Sequence, residues 1–207
     1  MKIILYYGDS NSWGYNPLTQ ERLSIHERWT GVLADQLGRD YRVIEEGLNG
    51  RTTVWDDPIE EFRNGKEYLM PCLLSQKPLD LVVLMLGTND LKKRFSVSAQ
   101  DIANSIGVLV EIIQRSGAGA NDSAPKILLI APPVIGTLTG FAEMFENGFE
   151  KSQKFGGYYR QVADLYDCEF LDAGKVIKSS ELDGIHFEPD QHMKLGQAVA
   201  ALVKEIF

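Results

Sequence analysis

A serine hydroxyl with an imidazole to take its proton can open an ester, and this chain has the residue types for that chemistry. Ser10 lies in G-D-S-N-S-W-G-Y (8–15), directly after the apolar run I-I-L-Y-Y. A serine is a poor nucleophile unless a base within hydrogen-bond reach titrates near neutrality. The chain has three histidines, His26, His186 and His192. His26 falls in an early polar loop, and His192 falls early in the last helical segment on a side expected to face solvent. Both read as surface residues. His186 follows Asp183 by three residues in the turn-prone D-G-I-H stretch. A carboxylate at that spacing can fold back onto the ring, fix its tautomer and stabilise the imidazolium. Acyl transfer also needs donors for the developing oxyanion. The candidates are the Ser10 N–H, the Gly50 N–H and the Asn89 side-chain amide. Gly50 permits close backbone approach because it has no side chain.

Each signal has a plainer explanation on its own. G-D-S can be a polar turn after a strand. An isolated D-x-x-H is more often a surface histidine beside an acid, Gly50 can be a turn glycine, and Asn89 can tie down its own loop. The combination in chain order, at the ends of alternating elements, is harder to assign to chance.

Those residues need a frame. Strands are expected over residues 2–7, 41–45, 79–86, 126–131 and 168–171. Residues 79–86 are apolar on both faces, as a central parallel strand must be. Trp29, Val32, Leu33 and Leu37 share a helical face that Gly38 ends, and Trp29 reads as core. Helices are further expected over 66–76 (kinked or divided at Pro71), from Ser98 with a capping box to Asp101, over 151–166, and over 190–206. Strands alternating with helices imply a parallel sheet covered on both sides, with ligands bound outside the carboxyl ends of its strands. No repeat or linker divides residues 1–207, so one domain is expected. Residues 134–149 form a long connection of the kind that is usually functional or mobile.

Composition limits the function. The 207 residues are 44% hydrophobic and 24% charged, with a net charge of −8. That balance argues against nucleic acid or an anionic membrane surface as partner. The two cysteines, Cys72 and Cys168, make no disulfide framework and read as buried thiols. The N-terminal apolar stretch is too short for a signal peptide, and no run reaches the ~18 residues of a membrane span. A cytoplasmic protein acting on a small molecule is expected.

Four blocks, G-D-S-N with Ser10, G-L-N-G-R-T-T with Gly50, G-T-N-D with Asn89 and D-G-I-H-F with Asp183 and His186, resemble those of the SGNH (GDSL-type) hydrolases. The likeness runs from residue 8 to 187 and looks closest to the bacterial arylesterase and acyltransferase branch. It implies a three-layer α/β/α sandwich with five parallel strands in flavodoxin-like order. It implies Ser10 as nucleophile, His186 as base then acid, Asp183 as its orienting partner, and Ser10, Gly50 and Asn89 as the oxyanion hole. Asp9 would be structural, and no cofactor or metal is implied. Members of that branch are often oligomers with restricted pockets, and some transfer acyl groups to alcohols or peroxide. A homo-oligomer and acyltransferase or perhydrolase side activity are left open here. Asn11 stands where the branch often has Leu, Tyr15 where it often has Trp, and 134–149 is diverged. Asn11, Trp13 and Tyr15 are the candidate substrate contacts. Trp13, Tyr15, Phe141 and Phe145 read equally as pocket, core or subunit contacts.

The expected activity is a serine esterase of small acyl, above all acetyl, esters. One rival is a metal-dependent phosphoesterase using Asp9, Asn49, Asn89, Asp90, Asp183 and His186. Two-metal sites draw on several carboxylates and histidines, and only one of the three histidines here is placed to help. The other is a non-catalytic flavodoxin-like binding module, whose first loop lacks a phosphate-binding pattern.

Overall fold

The computed structural model describes all 207 residues. β1 (Lys2–Gly8) is buried from Ile4 onward. Its alternating side chains go to opposite faces, so both faces of the sheet must be covered. A single helical turn, α1 (Ser10–Trp13), follows at once. Next come α2 (Trp29–Leu37), β2 (Tyr41–Gly47), α3 (Gly65–Gln76), β3 (Leu81–Met85) and α4 (Ala99–Arg115). β4 (Lys126–Ala131), α5 (Gly148–Ser152), α6 (Phe155–Leu165), β5 (Glu169–Asp172) and α7 (Pro189–Ile206) complete the chain. All strand pairs are parallel, in the order β2-β1-β3-β4-β5. That is the flavodoxin-like order, with its crevice at the β1/β3 switch point.

The sheet divides the core in two. Leu5, Tyr7, Val82, Leu84 and Leu129 pack with Leu69 and Leu73 of α3, the apolar stripe of α4, and Phe155 and Tyr159 of α6. Ile4, Tyr6, Leu81, Val83, Leu128 and Ile130 pack with Trp29 and Leu33 of α2 and Leu195, Val199 and Val203 of α7. Trp29 stands edge-on to Tyr6 at 4.7 Å, as aromatic pairs prefer. No helix is long and apolar enough to cross a membrane.

Several expected elements are corrected. α3 runs through Pro71 as one helix rather than two, with Leu69, Cys72 and Leu73 around it buried. The expected helix over 151–166 is two. Ser152 ends the first by donating to Phe149 O and accepting from Ile135 N, and buried Phe155 starts the second. The Ser98–Asp101 capping box is present on α4. Cys72 is buried, but Cys168 is only half-buried beside edge strand β5.

His192 is the largest correction. It is fully buried, not exposed, because α7 lays it against α2. Its Nδ1 accepts from the Trp29 N–H at 3.2 Å. The helix-capping residue Arg28 supplies no side-chain cap, so the ring serves one of the orphan donors of the helix start. Nε2 has no partner. Burial, and secondarily the nearby His186, push the His192 pKa from 6.5 down to about 3. Below pH 6.5 the unfolded chain therefore binds a proton that the fold refuses, and stability falls as pH drops toward 3. Asp9 and Asp90, pushed up from 3.8 to about 6 by burial, act in the opposite sense, losing stability as pH rises through that window. His192→Asn keeps a neutral acceptor for Trp29 and leaves both carboxylates in place. In urea unfolding, the stability advantage of wild type over this variant should be constant above pH 7 and shrink by several kcal/mol toward pH 4. An advantage that does not change with pH would show that His192 is not the acid-labile group.

Candidate active site

The end of β1 is built to present Ser10. Asp9 accepts from the Asn11 N–H at 3.0 Å and so caps α1, which turns the chain back over the strand end. Gly47 of β2 has no room for a side chain, since a Cβ there would lie 2.3 Å from Trp13 N. Asn11 and Trp29 lock this turn from behind. The Asn11 amide reaches Ile185 O at 3.3 Å, and the Trp29 indole donates to Asn11 O at 3.0 Å.

The loop before α7 approaches from the other side. Asp183 Oδ1 accepts from the Ile185 and His186 N–H groups at 2.8 and 2.9 Å, folding D-G-I-H into a tight turn. Oδ2 then meets His186 Nδ1 at 2.6 Å, and His186 Nε2 meets Ser10 Oγ at 3.0 Å. Burial alone would raise the Asp183 pKa. Hydrogen bonds from the His186 ring and from the two amides outweigh it, and the net shift is downward, so the carboxylate stays ionised. Tyr15 lies against the imidazole with ring centres 4.1 Å apart. A charge-fixed, sterically held imidazole beside a serine can act as a general base.

Gly50 and Asn89 arrive at the same place. Gly50 has φ of 81°, and Glu60 Oε2 would lie 2.4 Å from a Cβ there. The Asn89 amide donates to Arg51 O at 3.1 Å, which leaves its second N–H for a ligand. Neither the Ser10 N–H nor the Gly50 N–H donates to an acceptor in the protein. Asp90, the neighbour of Asn89, is fully buried and accepts from the Thr53 N–H at 3.1 Å, pinning the Asn89 turn to the segment after Gly50.

Ser10, Gly50, Asn89 and His186 line one cleft of about 170 Å³. Tyr15, Phe141, Met144, Phe145 and Ile185 supply its apolar wall, and Asn49, Glu60 and Lys92 its polar one. Phe141 and Phe145, from 134–149, thus line the cleft, and Phe145 is at the same time part of the core against which Phe141 packs. Asn11 and Trp13 do not line the cleft; the Asn11 amide is engaged by Ile185, and Trp13 lies under the Arg22 guanidinium at 5.2 Å. Sequence reasoning missed Glu60 and Lys92, which sit in stretches without periodicity and meet as a 2.7 Å ion pair. It also missed Ile185 and Met144. A larger groove of about 880 Å³ lies beyond the Leu48–Arg51 turn and contains neither Ser10 nor His186. No group of three or more His, Cys, Asp or Glu side chains converges as a metal site. Asp9 and Asp90, two of the rival's ligands, point instead at backbone N–H groups.

Comparison with known proteins identifies the family. Residues 6–194 match the GDSL-like lipase/acylhydrolase family. An arylesterase from Vibrio mimicus is 33% identical over 98% of this chain and 89% of its own. Among solved structures, Est24, a carbohydrate acetylesterase from Sinorhizobium meliloti, superposes with a TM-score of 0.97 at 40% identity. The M. smegmatis aryl esterase gives 0.96 at 42%. Both alignments cover all of each chain. The chain therefore belongs to the GDSL-like lipase/acylhydrolase family of carboxylic ester hydrolases, on an SGNH-hydrolase fold.

Proposed function

We propose that the protein is a cofactor-free serine hydrolase of short-acyl esters, acetyl esters first among them. His186 deprotonates Ser10 as its Oγ attacks the ester carbonyl. Asp183 holds the ring in the tautomer with the proton on Nδ1 and balances the imidazolium. The Ser10 and Gly50 N–H groups and the Asn89 amide receive the oxyanion, His186 returns the proton to the departing alcohol, and water or a second alcohol takes the acyl group from Ser10. The observation that carries the reading is the 3.0 Å and 2.6 Å relay from Ser10 through His186 to Asp183, opening into a small cleft. At about 170 Å³ the cleft is smaller than the ~300 Å³ at which drug-sized ligand pockets begin, which favours a short acyl group. The arylesterase and carbohydrate acetylesterase relatives support the same substrate chemistry.

Diethyl p-nitrophenyl phosphate tests the nucleophile. It should release one p-nitrophenol per chain, abolish turnover and add a diethylphosphoryl group to the peptide containing Ser10. Labelling elsewhere, or inhibition without labelling, would overturn the assignment. In the same preparation kcat/KM should fall steadily from p-nitrophenyl acetate to the octanoate. A preference for octanoate would refute the short-acyl part alone.

A further inference from the structure

Arg51 is only 3% exposed, yet no carboxylate lies within ion-pair distance of its guanidinium. A buried arginine is normally paired, because removing its charge from water is costly. This one directs its donors to two backbone carbonyls. Nη1 donates to Gly8 O at 2.9 Å and also to Glu46 O. The guanidinium lies over the ring of Tyr7 at 4.1 Å, which places it against β1. Its own main chain faces the other way. Arg51 N–H closes the turn to Leu48 O at 3.0 Å with Gly50 inside it, and Arg51 O accepts the Asn89 amide at 3.1 Å.

We infer that Arg51 is the positioning residue of the oxyanion-binding donors. One side chain fastens the Gly50 turn to the carbonyl two residues before Ser10. The carbonyl of the same residue aims Asn89. The three donor-bearing segments, from β1, from the loop after β2 and from the loop after β3, are joined through this one residue. The charge-assisted bonds to Gly8 and Glu46 are what a neutral side chain cannot replace. Loosening them lets Gly50 and Asn89 shift together, and misplacement by about 1 Å can cost on the order of 10²-fold in rate. This inference rests on the proposed serine esterase mechanism.

The test is a double-mutant cycle on p-nitrophenyl acetate with Arg51→Lys, Arg51→Met, Asn89→Ala and the two double variants. Arg51→Met should lower kcat roughly 10²-fold with KM within about threefold, since the interaction lost is made in the transition state. Arg51→Lys should lose less. Asn89→Ala alone should cost roughly 10²–10³. In the Asn89→Ala background the Arg51 effects should shrink several-fold, because one of the two donors that Arg51 aims is already gone. Wild-type kcat in the Arg51 variants, or losses that multiply fully across the cycle, would overturn the proposal. Should Arg51→Met not fold, Arg51→Lys with its double variant tests the same coupling. If Ser10→Ala is inactive while the cycle is additive, only the role of Arg51 fails. If Ser10→Ala is active, the mechanism beneath it fails.

Discussion

Replacing Ser10 with alanine should reduce kcat on p-nitrophenyl acetate by on the order of 10⁶-fold, to the level that binding and oxyanion donors sustain without a nucleophile. The substitution deletes one oxygen from a side chain whose contact through that oxygen is His186 Nε2 at 3.0 Å. The backbone bonds of α1, Ser12 N–H and Trp13 N–H to Asp9 O, remain, so the turn keeps its shape. Circular dichroism and the urea midpoint should match wild type. EDTA should leave the wild-type rate unchanged, because the attacking group needs only the imidazole. A folded Ser10→Ala protein that kept even a tenth of wild-type turnover would require another nucleophile.

Asp183→Asn should cost roughly 10⁴ in kcat with little change in KM. Asp183 Oδ1 takes two backbone N–H groups, and Oδ2 takes His186 Nδ1. An asparagine oriented to keep its oxygen on the backbone must turn its NH₂ toward the ring. Nδ1 then becomes an acceptor, the ring proton moves to Nε2, and the nitrogen facing Ser10 can no longer accept its proton. The Asp183 pKa lies below the ordinary carboxylate value, so in wild type this group stays charged through the range in which esterases are assayed. A variant with unchanged kcat would mean that the ring is oriented by something else, and Tyr15, tilted against it at 4.1 Å, would be the first residue to examine.

The fold was largely legible from local signals, and the residues that meet at the cleft from four short blocks taken together. The run L-V-V-L-M is buried on both faces, as a central strand must be, and the D-G-I-H spacing closes on itself through two amide bonds. Strand ends carrying polar residues could be expected to converge because parallel sheets place them on one edge. What could not be read depended on distant partners. His192 looks like a surface residue until α7 is docked on α2. Asn11 and Trp13 lie close to Ser10 in sequence, yet α1 turns them to Ile185 and Arg22. Arg51 sits inside the G-L-N-G-R-T-T block, but nothing in that run of residues reveals that its guanidinium reaches back to Gly8.

Ser10 and His186 are 176 residues apart, and the second is delivered by the loop after the last strand. The proposed relay therefore joins two segments that are far apart in sequence. A folding unit that lacks the loop before α7 cannot join Ser10 to His186. Such distant contacts form late and close long loops. The proposed activity therefore depends on docking the loop before α7 onto the end of β1. Recovery of ester turnover should lag recovery of far-UV circular dichroism in refolding, and simultaneous recovery would refute this expectation.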